Sequence, residues 1–542
     1  MKNIGKKALI GMLLATFAFS AIGCGDGGGG GGGNDPATKL TVFIASDKEP
    51  GTNEKKVTDA VEKKFKQDTG KAIDLNFLVY DKGDFADAVT NSAASSAWDA
   101  AVSYLGIAGV DDKLIRIGAA ADLQDYLEED YCENIIDNVG DNLKSLTTVT
   151  GSVYGITSVN EVSDYGILVR KDWMKQVGYT DDEAEAAASN GTLKLLKTMG
   201  QFEDMLQKFK DNIPGCTTPL AGAPWDLEYV LTAGVVEGQP SYASHSVLYN
   251  EDGTISEVVP GYLDPNYVKV LDYAYQWSRN NLWEQFESTT KYETREQWFY
   301  SETVGVYVGN PKINELIRVA RRLQEYNPAA ELTVIGPLCA GDKDGNVTLD
   351  KNNQEIKGFR AEDSAYYGMV INPRSQNQEL MLEYLNWVYA SQENYELCAY
   401  GIEGEDWIKV GNDKYSYPSE SYVTTPSYSG TLKLLENINI SNRMYAGYSA
   451  TEVEWISTVR NAATYKGALQ GMFLYKPADQ IYNDYVAAQN KMVTEVIYKA
   501  WNGGVDPKVS HPGEANGVKY FYSVSSDYVN WMTTQYLLAK AQ

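Results

Sequence analysis

Histidine is the scarcest of the residues that could carry catalysis or bind a metal ion. The chain of 542 residues contains two, His245 and His511, and neither has ligand-like neighbours. Zinc sites need several ligands at characteristic spacings, and Ser-His-Asp or Cys-His centres combine a histidine with a recognisable nucleophile motif. The sequence therefore predicts no metal site, no cofactor and no histidine-dependent hydrolase.

Tyrosine and tryptophan indicate a different chemistry. The chain has 39 Tyr and 11 Trp against 13 Phe, so most of its aromatic rings carry a polar group. Such rings are favoured where one face packs against an apolar surface and the edge forms hydrogen bonds. This composition is typical of a binding surface, and tyrosine-rich protein cores share it.

Acidic residues dominate the charge of the chain. Asp and Glu number 73 against 47 Lys and Arg, which gives a net charge of −26 at pH 7. A protein of this charge repels phosphate backbones and anionic lipid headgroups, so nucleic acid is not an expected partner. A catalytic pair of carboxylates cannot be picked out of so many acids by inspection.

The amino terminus has the pattern of an export signal. Three lysines precede an apolar stretch, residues 8–22, that is too short to cross a bilayer as a helix. The stretch ends in SAIGC at residues 20–24, which resembles the lipobox of bacterial lipoproteins, whose cysteine is diacylated after cleavage. We therefore expect residues 1–23 to be a signal peptide and Cys24 to carry the lipid.

A run of seven glycines, residues 27–33, follows Cys24. Polyglycine behaves as a flexible chain, so residues 24–38 are expected to be a lipidated tether. Two acyl chains anchor a protein stably where one does not. Because the signal peptide directs export, we expect the lipid to anchor the chain on the outer face of the bacterial cell membrane. The membrane is expected to contact the protein through this lipid alone.

The remaining cysteines are at long, irregular spacings. They do not form a zinc or iron–sulfur pattern. Export permits disulfides, but the neighbours of these cysteines are largely apolar, so the pattern favours buried free thiols and leaves the disulfide state open. The residues are Cys132, Cys216, Cys339 and Cys398.

Strand and helix patterns alternate from Lys39 onward. Residues 40–44, 73–79 and 100–104 have the apolar and β-branched character of strands, and a helix pattern precedes each of the last two. This order predicts right-handed βαβ units and a parallel sheet. Ligands of such sheets bind beyond the carboxyl ends of the strands, which are here the 46–51 loop and the segment around Tyr104.

Further along, residues 153–156 and 165–170 resemble strands on either side of a polar segment, residues 157–161, which we interpret as a crossing between two lobes. An amphipathic helix is expected over residues 194–210. Residues 214–224 are rich in turn formers and lead to Trp225 in an irregular loop. Residues 342–346 distantly resemble a calcium loop, but the glycine is misplaced and no Glu follows, which favours a hairpin turn.

Besides the lipobox, four stretches of the sequence are distinctive: VYGI at residues 153–156, LVRKDW at 168–173, FYSETVGVYVG at 299–309 and YGIEGEDW at 400–407. Together they resemble the family-1 extracellular solute-binding lipoproteins of carbohydrate-type bacterial ABC transporters. In the third stretch, Glu302 and Thr303 stand where the family's central motif usually has glycine.

The resemblance implies an α/β protein with the two-lobed fold of type II periplasmic binding proteins, in which mixed sheets are flanked by helices and a hinge joins the lobes. We expect residues 39–160 and 311–370 to form the N-terminal lobe. Residues 161–310 and 371–542 are expected to form the C-terminal lobe, with a helical extension at the end.

The resemblance also implies a sugar in the interlobe cleft, where rings stack on the sugar face and polar groups bind its hydroxyls. The candidate ligand-binding residues are Asp47, Tyr104, Glu161, Asp164, Tyr165, Trp225, Asn310, Tyr366, Tyr367 and Trp407. For each of them the competing interpretation is a side chain packed within a lobe. The two interpretations, ligand contact and packing, are most nearly balanced for Trp225. Trp277, Trp283 and Trp298 fit core positions of helices, and Glu403 fits a structural role.

The family implies a monomeric binding protein, not an enzyme, that captures an oligosaccharide and delivers it to the permease subunits of an ABC transporter. An exported carbohydrate-active enzyme, a glycoside hydrolase or lyase, remains an alternative because it needs the same aromatic surfaces and adds two carboxylates. A surface adhesin or scaffold is the third interpretation. The sequence does not identify the sugar, its length or its linkage.

Overall fold

The computed structural model describes residues 36–46, 50–104, 114, 117–143, 152–159, 164–235, 245–284, 290–309, 312–350, 352–360, 367–462, 464–465, 479–510 and 526–541. Across these ranges the chain forms one five-stranded sheet, one four-stranded sheet and four smaller sheets. None of the helices in these ranges is both long enough and apolar enough to span a membrane.

The strands are β1 Thr38–Ala45, β2 Ile73–Tyr80, β3 Ala100–Tyr104, β4 Ile156–Thr157, β5 Ile167–Arg170, β6 Tyr179–Thr180, β7 Lys194–Leu195, β8 Leu220–Ala221, β9 His245–Tyr249, β10 Ile255–Pro260, β11 Val306–Tyr307, β12 Leu332–Ile335, β13 Phe359–Arg360, β14 Tyr367–Ile371, β15 Ile408–Val410, β16 Lys414–Ser416, β17 Met444–Tyr445 and β18 Thr464–Tyr465.

The α-helices are α1 Glu54–Thr69, α2 Lys82–Ser92, α3 Gln124–Leu127, α4 Glu133–Leu143, α5 Lys171–Gln176, α6 Glu183–Ala188, α7 Met199–Asn212, α8 Pro224–Leu231, α9 Tyr267–Arg279, α10 Tyr292–Tyr300, α11 Ile313–Tyr326, α12 Gln378–Tyr389, α13 Gln392–Tyr400, α14 Ser421–Thr424, α15 Ala450–Arg460, α16 Asp479–Met492, α17 Tyr498–Trp501, α18 Pro507–Ser510 and α19 Ser526–Ala541. A π-helical turn, Val493–Ile497, joins α16 to α17.

The first sheet has the order β2-β1-β3-β14-β4. β1 pairs in parallel with β2 and with β3, which confirms the predicted βαβ units. Helix α1 covers the sheet with Val57, Val61 and Phe65, spaced to lie on one face of a helix, and ends at Gly70, whose φ of 77° is the left-handed conformation that glycine adopts readily.

The second sheet has the order β12-β5-β11-β8. β5 is antiparallel to both β11 and β12, and β11 is parallel to β8. Its core is larger than that of the first sheet and includes Trp277 and Trp283, which are almost fully buried, whereas Trp298 is partly buried against it. The predicted core position of Trp277 on a helix is therefore confirmed. Trp283 is buried as predicted, but it lies beyond the end of α9 and forms a β-bridge with Leu220.

Two large hydrophobic cores divide the described residues into a first lobe, formed by those within 38–159 and 367–440, and a second lobe, formed by those within 164–360 and 444–541. This division differs from the expected one. Helix α11 and strand β12 pack in the second core, and helices α12 and α13 pack in the first. The amphipathic pattern of a helix shows that it covers a sheet but does not show which one, so the sequence alone does not assign these segments to a lobe.

Local differences from the sequence-based expectations have clear causes. The helix expected over residues 194–210 begins only at Met199, because Thr198 and Gln201 form a reciprocal capping box at its start. Residues 194–195 form β7 instead. The 342–346 segment is a turn, as expected: the Asp342 carboxylate accepts from the backbone amides of Asp344 and Asn346, and Gly345 has a φ of 88°.

Glu302, which stands in place of the family's glycine, has a φ of 60°. A non-glycine residue in this conformation is strained. Its carboxylate accepts from the buried Arg170 guanidinium at 2.7 Å and from the Asn327 amide at 3.1 Å, and these contacts hold the turn in place.

The four cysteines named above are free and buried, which confirms the prediction of free thiols. Burial raises the pKa of Cys132, Cys216 and Cys398 to about 12. Thiols with such high pKa values are poor nucleophiles at neutral pH.

Candidate functional site

The chain crosses between the lobes at one edge of each sheet. In the first sheet this edge contains the carboxyl ends of β1 and β3 and the amino end of β14, since Tyr104 pairs with Tyr367. In the second sheet β5 begins at the corresponding edge, and the antiparallel β11 ends there. β8 is parallel to β11, so it ends at the same edge. The space between these two edges is the candidate site.

Trp225 lies at the second-lobe edge, four residues after β8 ends at Ala221. The expectation of an irregular loop at Trp225 was wrong, because Pro224 occupies the first turn of α8, where its fixed φ suits a helix and its missing N–H is not needed. The Trp225 ring is half-buried, and its indole nitrogen lies 3.4 Å from the hydroxyl of Tyr292, which is 39% exposed. The two rings form an accessible aromatic pair.

Charged side chains are buried beside this pair. Arg295 is 1% exposed and Glu284 is 5% exposed, and the Arg295 Nε donates to Glu284 Oε1 at 2.6 Å. The other oxygen of Glu284 accepts from the Gly222 backbone amide at 3.3 Å. Asp226 is 6% exposed, and its Oδ1 accepts from the Tyr292 hydroxyl at 3.4 Å.

Two buried polar atoms of this cluster have no hydrogen-bond partner in the part of the chain that the structure describes. They are Asp226 Oδ2 and Arg295 Nη2. An unpaired buried polar atom is unfavourable by about 1–3 kcal/mol, and its presence in a native protein needs an explanation. A carboxylate oxygen and a guanidinium N–H can together bind hydroxyl groups of a ligand, accepting from one and donating to another.

Burial also shifts the titration of the two acids. It raises the pKa of Glu284 to about 7, although the charge and hydrogen bond of Arg295 oppose the shift. Burial raises the pKa of Asp226 well above its ordinary value, with Arg295 again opposing. Raised pKa values of this kind, beside an accessible aromatic pair, are typical of a functional site.

We expect these acids to make stability pH-dependent. The folded-state pKa of Glu284 lies above its ordinary value of 4.5. The stabilisation that Glu284 gives the folded state is therefore fully present below about pH 4.5 and is lost as the pH rises through about 7. Relative to wild type, Glu284→Gln should therefore gain free energy of unfolding as the pH rises across this window, measured by urea denaturation. Parallel pH profiles for wild type and Glu284→Gln would contradict the assignment.

The structure locates six of the ten candidate residues. Tyr104 and Tyr367 are paired at the first-lobe edge. Asp164 and Tyr165 enter the second lobe, where the Asp164 carbonyl accepts from the Ile313 amide at 2.7 Å and Tyr165 is buried. Trp225 has the position described above. Asp47, Glu161, Asn310 and Tyr366 lie outside the described residues.

The sixth located candidate, Trp407, is a packed ring. It is 3% exposed, and its indole nitrogen donates to the Gly401 carbonyl at 3.0 Å. Its ring also contacts Tyr400, with the centroids 5.3 Å apart. The prediction of Trp407 as a ligand contact is not supported by this position.

Sequence reasoning did not single out Asp226, Glu284, Tyr292 and Arg295. Asp226 is adjacent to Trp225 and could have been noticed. Glu284, Tyr292 and Arg295 belong to segments far along the chain, and only the folded arrangement brings them to Trp225. Among the described residues, no group of three or more potential ligands is arranged to hold a metal ion.

The chain is similar to solved structures of solute-binding proteins. NgtS, an N-glycan transport solute binding protein from Streptococcus pneumoniae, matches with a TM-score of 0.64 and 16% identity over 93% of this chain and 99% of that one. Its complex with Man5GlcNAc matches with a TM-score of 0.54 and 16% identity over 94% of this chain and all of that one. An extracellular solute-binding protein from Bifidobacterium longum subsp. infantis matches with a TM-score of 0.61 and 14% identity, covering 93% and 99% of the two chains.

One curated protein is also similar in sequence. The polygalacturonan/rhamnogalacturonan-binding protein YtcQ of Bacillus subtilis (strain 168) is 22% identical over 315 residues, which is 57% of this chain and 55% of that protein. The match thus spans about half the length of this relative. No protein-family model matches the chain. The structural matches establish that the chain has the two-lobed α/β fold of extracellular solute-binding proteins, as predicted.

Proposed function

We propose that the protein is an extracellular substrate-binding protein that captures an oligosaccharide between its lobes and delivers it to the permease of an ABC transporter. The single observation that carries this proposal is the cluster at the second-lobe edge. There the accessible rings of Trp225 and Tyr292 lie beside the unused hydrogen-bonding atoms of Asp226 and Arg295. Stacking surfaces and convergent polar groups are what a sugar needs.

Each part of the cluster has a role in this mechanism. The apolar face of a sugar ring stacks on Trp225 or Tyr292, and one sugar hydroxyl donates to Asp226 Oδ2 while another accepts from Arg295 Nη2. Binding then satisfies two polar atoms that are already desolvated, so the ligand gains hydrogen bonds without the desolvation penalty for the protein groups. Glu284 holds the Arg295 guanidinium in position through their 2.6 Å contact.

Closure of the lobes completes the site. Two-lobed binding proteins close around their ligands by rotation at a few hinge residues. In this chain the connections between lobes lie at the sheet edges that carry the cluster, so closure brings the first-lobe edge, with Tyr104 and Tyr367, toward a ligand held by Trp225. The ligand is bound without chemical change.

A thermal-shift screen against an oligosaccharide panel tests the proposal. The panel contains fragments of N-glycans, of polygalacturonan and of rhamnogalacturonan, since the similar proteins carry these ligands in their names. Other oligosaccharides widen the panel. A ligand at about 100 times its dissociation constant adds about 2.7 kcal/mol to the free energy of unfolding, a clear rise in melting temperature. If no oligosaccharide stabilises the protein, the proposed function is wrong.

The main alternative, a glycoside hydrolase or lyase, is favoured by the two buried acids Asp226 and Glu284, whose pKa values are raised. A hydrolase needs two carboxyl groups that both face the sugar. Both oxygens of Glu284 are engaged, one by Arg295 and one by the Gly222 amide, which leaves a single carboxyl with a free oxygen. Chromatography of the bound oligosaccharide after long incubation distinguishes the two functions, since products appear only with an enzyme.

We further propose that the protein is a lipoprotein, anchored through Cys24 to the outer face of the bacterial cell membrane as a monomer. Cys24→Ala is expected to leave the precursor unprocessed and without acyl chains. Metabolic labelling with a fatty acid checks this result. Incorporation of label into the Cys24→Ala variant would contradict the anchor assignment.

A further inference from the structure

A small sheet beside the last crossing between lobes carries three clustered tyrosines. Strand β16 pairs with β15 and with β17, and Tyr415 lies opposite Tyr445 in this register. Tyr417 directly follows β16, two residues after Tyr415, and side chains at this spacing point to the same face of a strand. The ring centroids of the three tyrosines are 5.5 or 5.6 Å apart in each of the three pairings. We call these three residues the tyrosine triplet.

The tyrosine triplet is not part of a lobe core. All three side chains are half-buried, and none of them belongs to the hydrophobic cores that the described residues form. Strand β15 adds no core of its own, since its Ile408 and Val410 are 41% and 38% exposed. Contiguous apolar surface that a folded protein leaves accessible usually marks an interaction site. The triplet is therefore a candidate binding surface.

Neighbouring rings extend the tyrosine triplet toward both lobes. On the first-lobe side, Tyr400 at the end of α13 stacks on Tyr415, with the centroids 5.5 Å apart. On the second-lobe side, Tyr448 packs nearly perpendicular to Tyr445, with the centroids 5.4 Å apart. The Tyr448 hydroxyl donates to Asn314 Oδ1, in the first turn of α11, at 2.9 Å. The rings thus form a continuous row from one lobe to the other.

Both ends of this row lie near the edges that bound the candidate site. At the second-lobe end, α11 begins six residues after β11, which ends at that edge. At the first-lobe end, Tyr400 contacts Trp407, and the neighbouring Asp406 accepts from the Asn53 side chain at 2.8 Å. Asn53 immediately precedes α1, which follows the carboxyl end of β1. The row of rings is therefore continuous with the space between the two edges.

We propose that the tyrosine triplet is a second stacking surface of the same site, which binds the sugar units of an oligosaccharide that lie farthest from Trp225. This inference rests on the proposed function and adds a subsite to it. A sugar suits these rings, because their faces stack on a sugar ring while their hydroxyl groups exchange hydrogen bonds with its hydroxyls. A ligand that reaches both surfaces must contain several sugar units, so the affinity rises with the length of the oligosaccharide.

Oligosaccharides of increasing length test the inference. Galacturonate, rhamnogalacturonan and N-glycan oligosaccharides of two to six sugar units, with cello-, xylo- and manno-oligosaccharides of the same lengths, are titrated by calorimetry into wild type, Tyr417→Ala and Trp225→Ala. In a series that binds, we expect Tyr417→Ala to lower the affinity for the longest member about fivefold or more. Its affinity for the shortest member that binds should be unchanged, whereas Trp225→Ala should weaken the binding of both.

Two further variants control for indirect effects. Tyr326→Ala is the matched control, because Tyr326 is 58% exposed at the end of α11 away from the site and its ring also contacts a tyrosine, Tyr300, at 5.8 Å. This variant should bind every length as wild type does. Tyr417→Leu keeps an apolar side chain but removes the flat ring, so it should show the same length-dependent loss. It replaces the alanine variant if that variant does not fold.

The outcomes separate this inference from the proposed function. If Trp225→Ala loses affinity while both Tyr417 variants bind the longest member as tightly as wild type, the inference is overturned and the proposed function stands. An equal loss in the Tyr417 variants for the shortest and longest members would also overturn it. If wild type binds no oligosaccharide, the proposed function is wrong and the inference is wrong with it.

Discussion

Trp225→Ala is expected to weaken oligosaccharide binding by roughly 1–3 kcal/mol, which is the range for nucleic-acid bases that stack on aromatic side chains. The ring is half-buried, so the variant loses only part of the packing energy of a fully buried tryptophan, which is about 3–5 kcal/mol. Calorimetry gives the affinity of the variant, and urea denaturation without ligand gives its stability.

Trp298→Ala is a matched control for this variant. Trp298 is also partly buried against the second core and lies at the far end of the helix that Tyr292 begins. The two variants should lose similar stability, but only Trp225→Ala should lose affinity. A large loss of ligand-free stability in Trp225→Ala, with unchanged affinity among the folded molecules, would remove Trp225 from the site.

Arg443→Met is expected to lower the free energy of unfolding by about 3–5 kcal/mol. Arg443 lies at the last crossing between lobes, and its Nε donates to the buried Glu396 at 2.5 Å while its Nη1 donates to the Asn412 carbonyl at 2.7 Å. Removing one member of a buried ion pair leaves the other charge uncompensated, which is the main source of the loss. Urea denaturation measures it.

Two further variants separate the buried charge from the loss of packing. Arg443→Met combined with Glu396→Gln removes both charges and should recover part of the stability. Arg322→Met breaks a pair with Glu325 in which both side chains are more than half exposed, so its effect on the free energy of unfolding should be small. A loss in Arg443→Met no larger than that in Arg322→Met would contradict the structural role assigned to the pair.

The first sheet could be predicted from sequence because its strands and helices follow one another along the chain. Leu40, Val42 and Ile44 pack in one core and Phe43 and Ala45 pack in another on the opposite face of the strand, and helix α1 has a regular apolar face that ends at a glycine. Local periodicity is sufficient for such units. It is not sufficient for α11, α12 and α13, whose apolar faces fit either sheet and whose assignment depends on long-range packing.

The site was only partly predictable for a related reason. Trp225 was recognised because a large ring in a segment rich in proline and glycine is unusual. The same prolines favoured a loop, so the helix that begins at Pro224 was not predicted. Glu284 and Arg295 have no sequence signal, because their significance comes from a contact made possible by the fold. Trp407 lies in a family-like motif, yet its ring is packed.

The central claim is that an oligosaccharide binds between the lobes and is not altered. Small-angle X-ray scattering of the protein with and without the best ligand from the panel tests it most directly, combined with chromatography of the recovered ligand. We expect the radius of gyration to decrease on binding and the ligand to be recovered intact. An unchanged radius of gyration at saturating ligand, or the appearance of shorter sugars, would contradict the account.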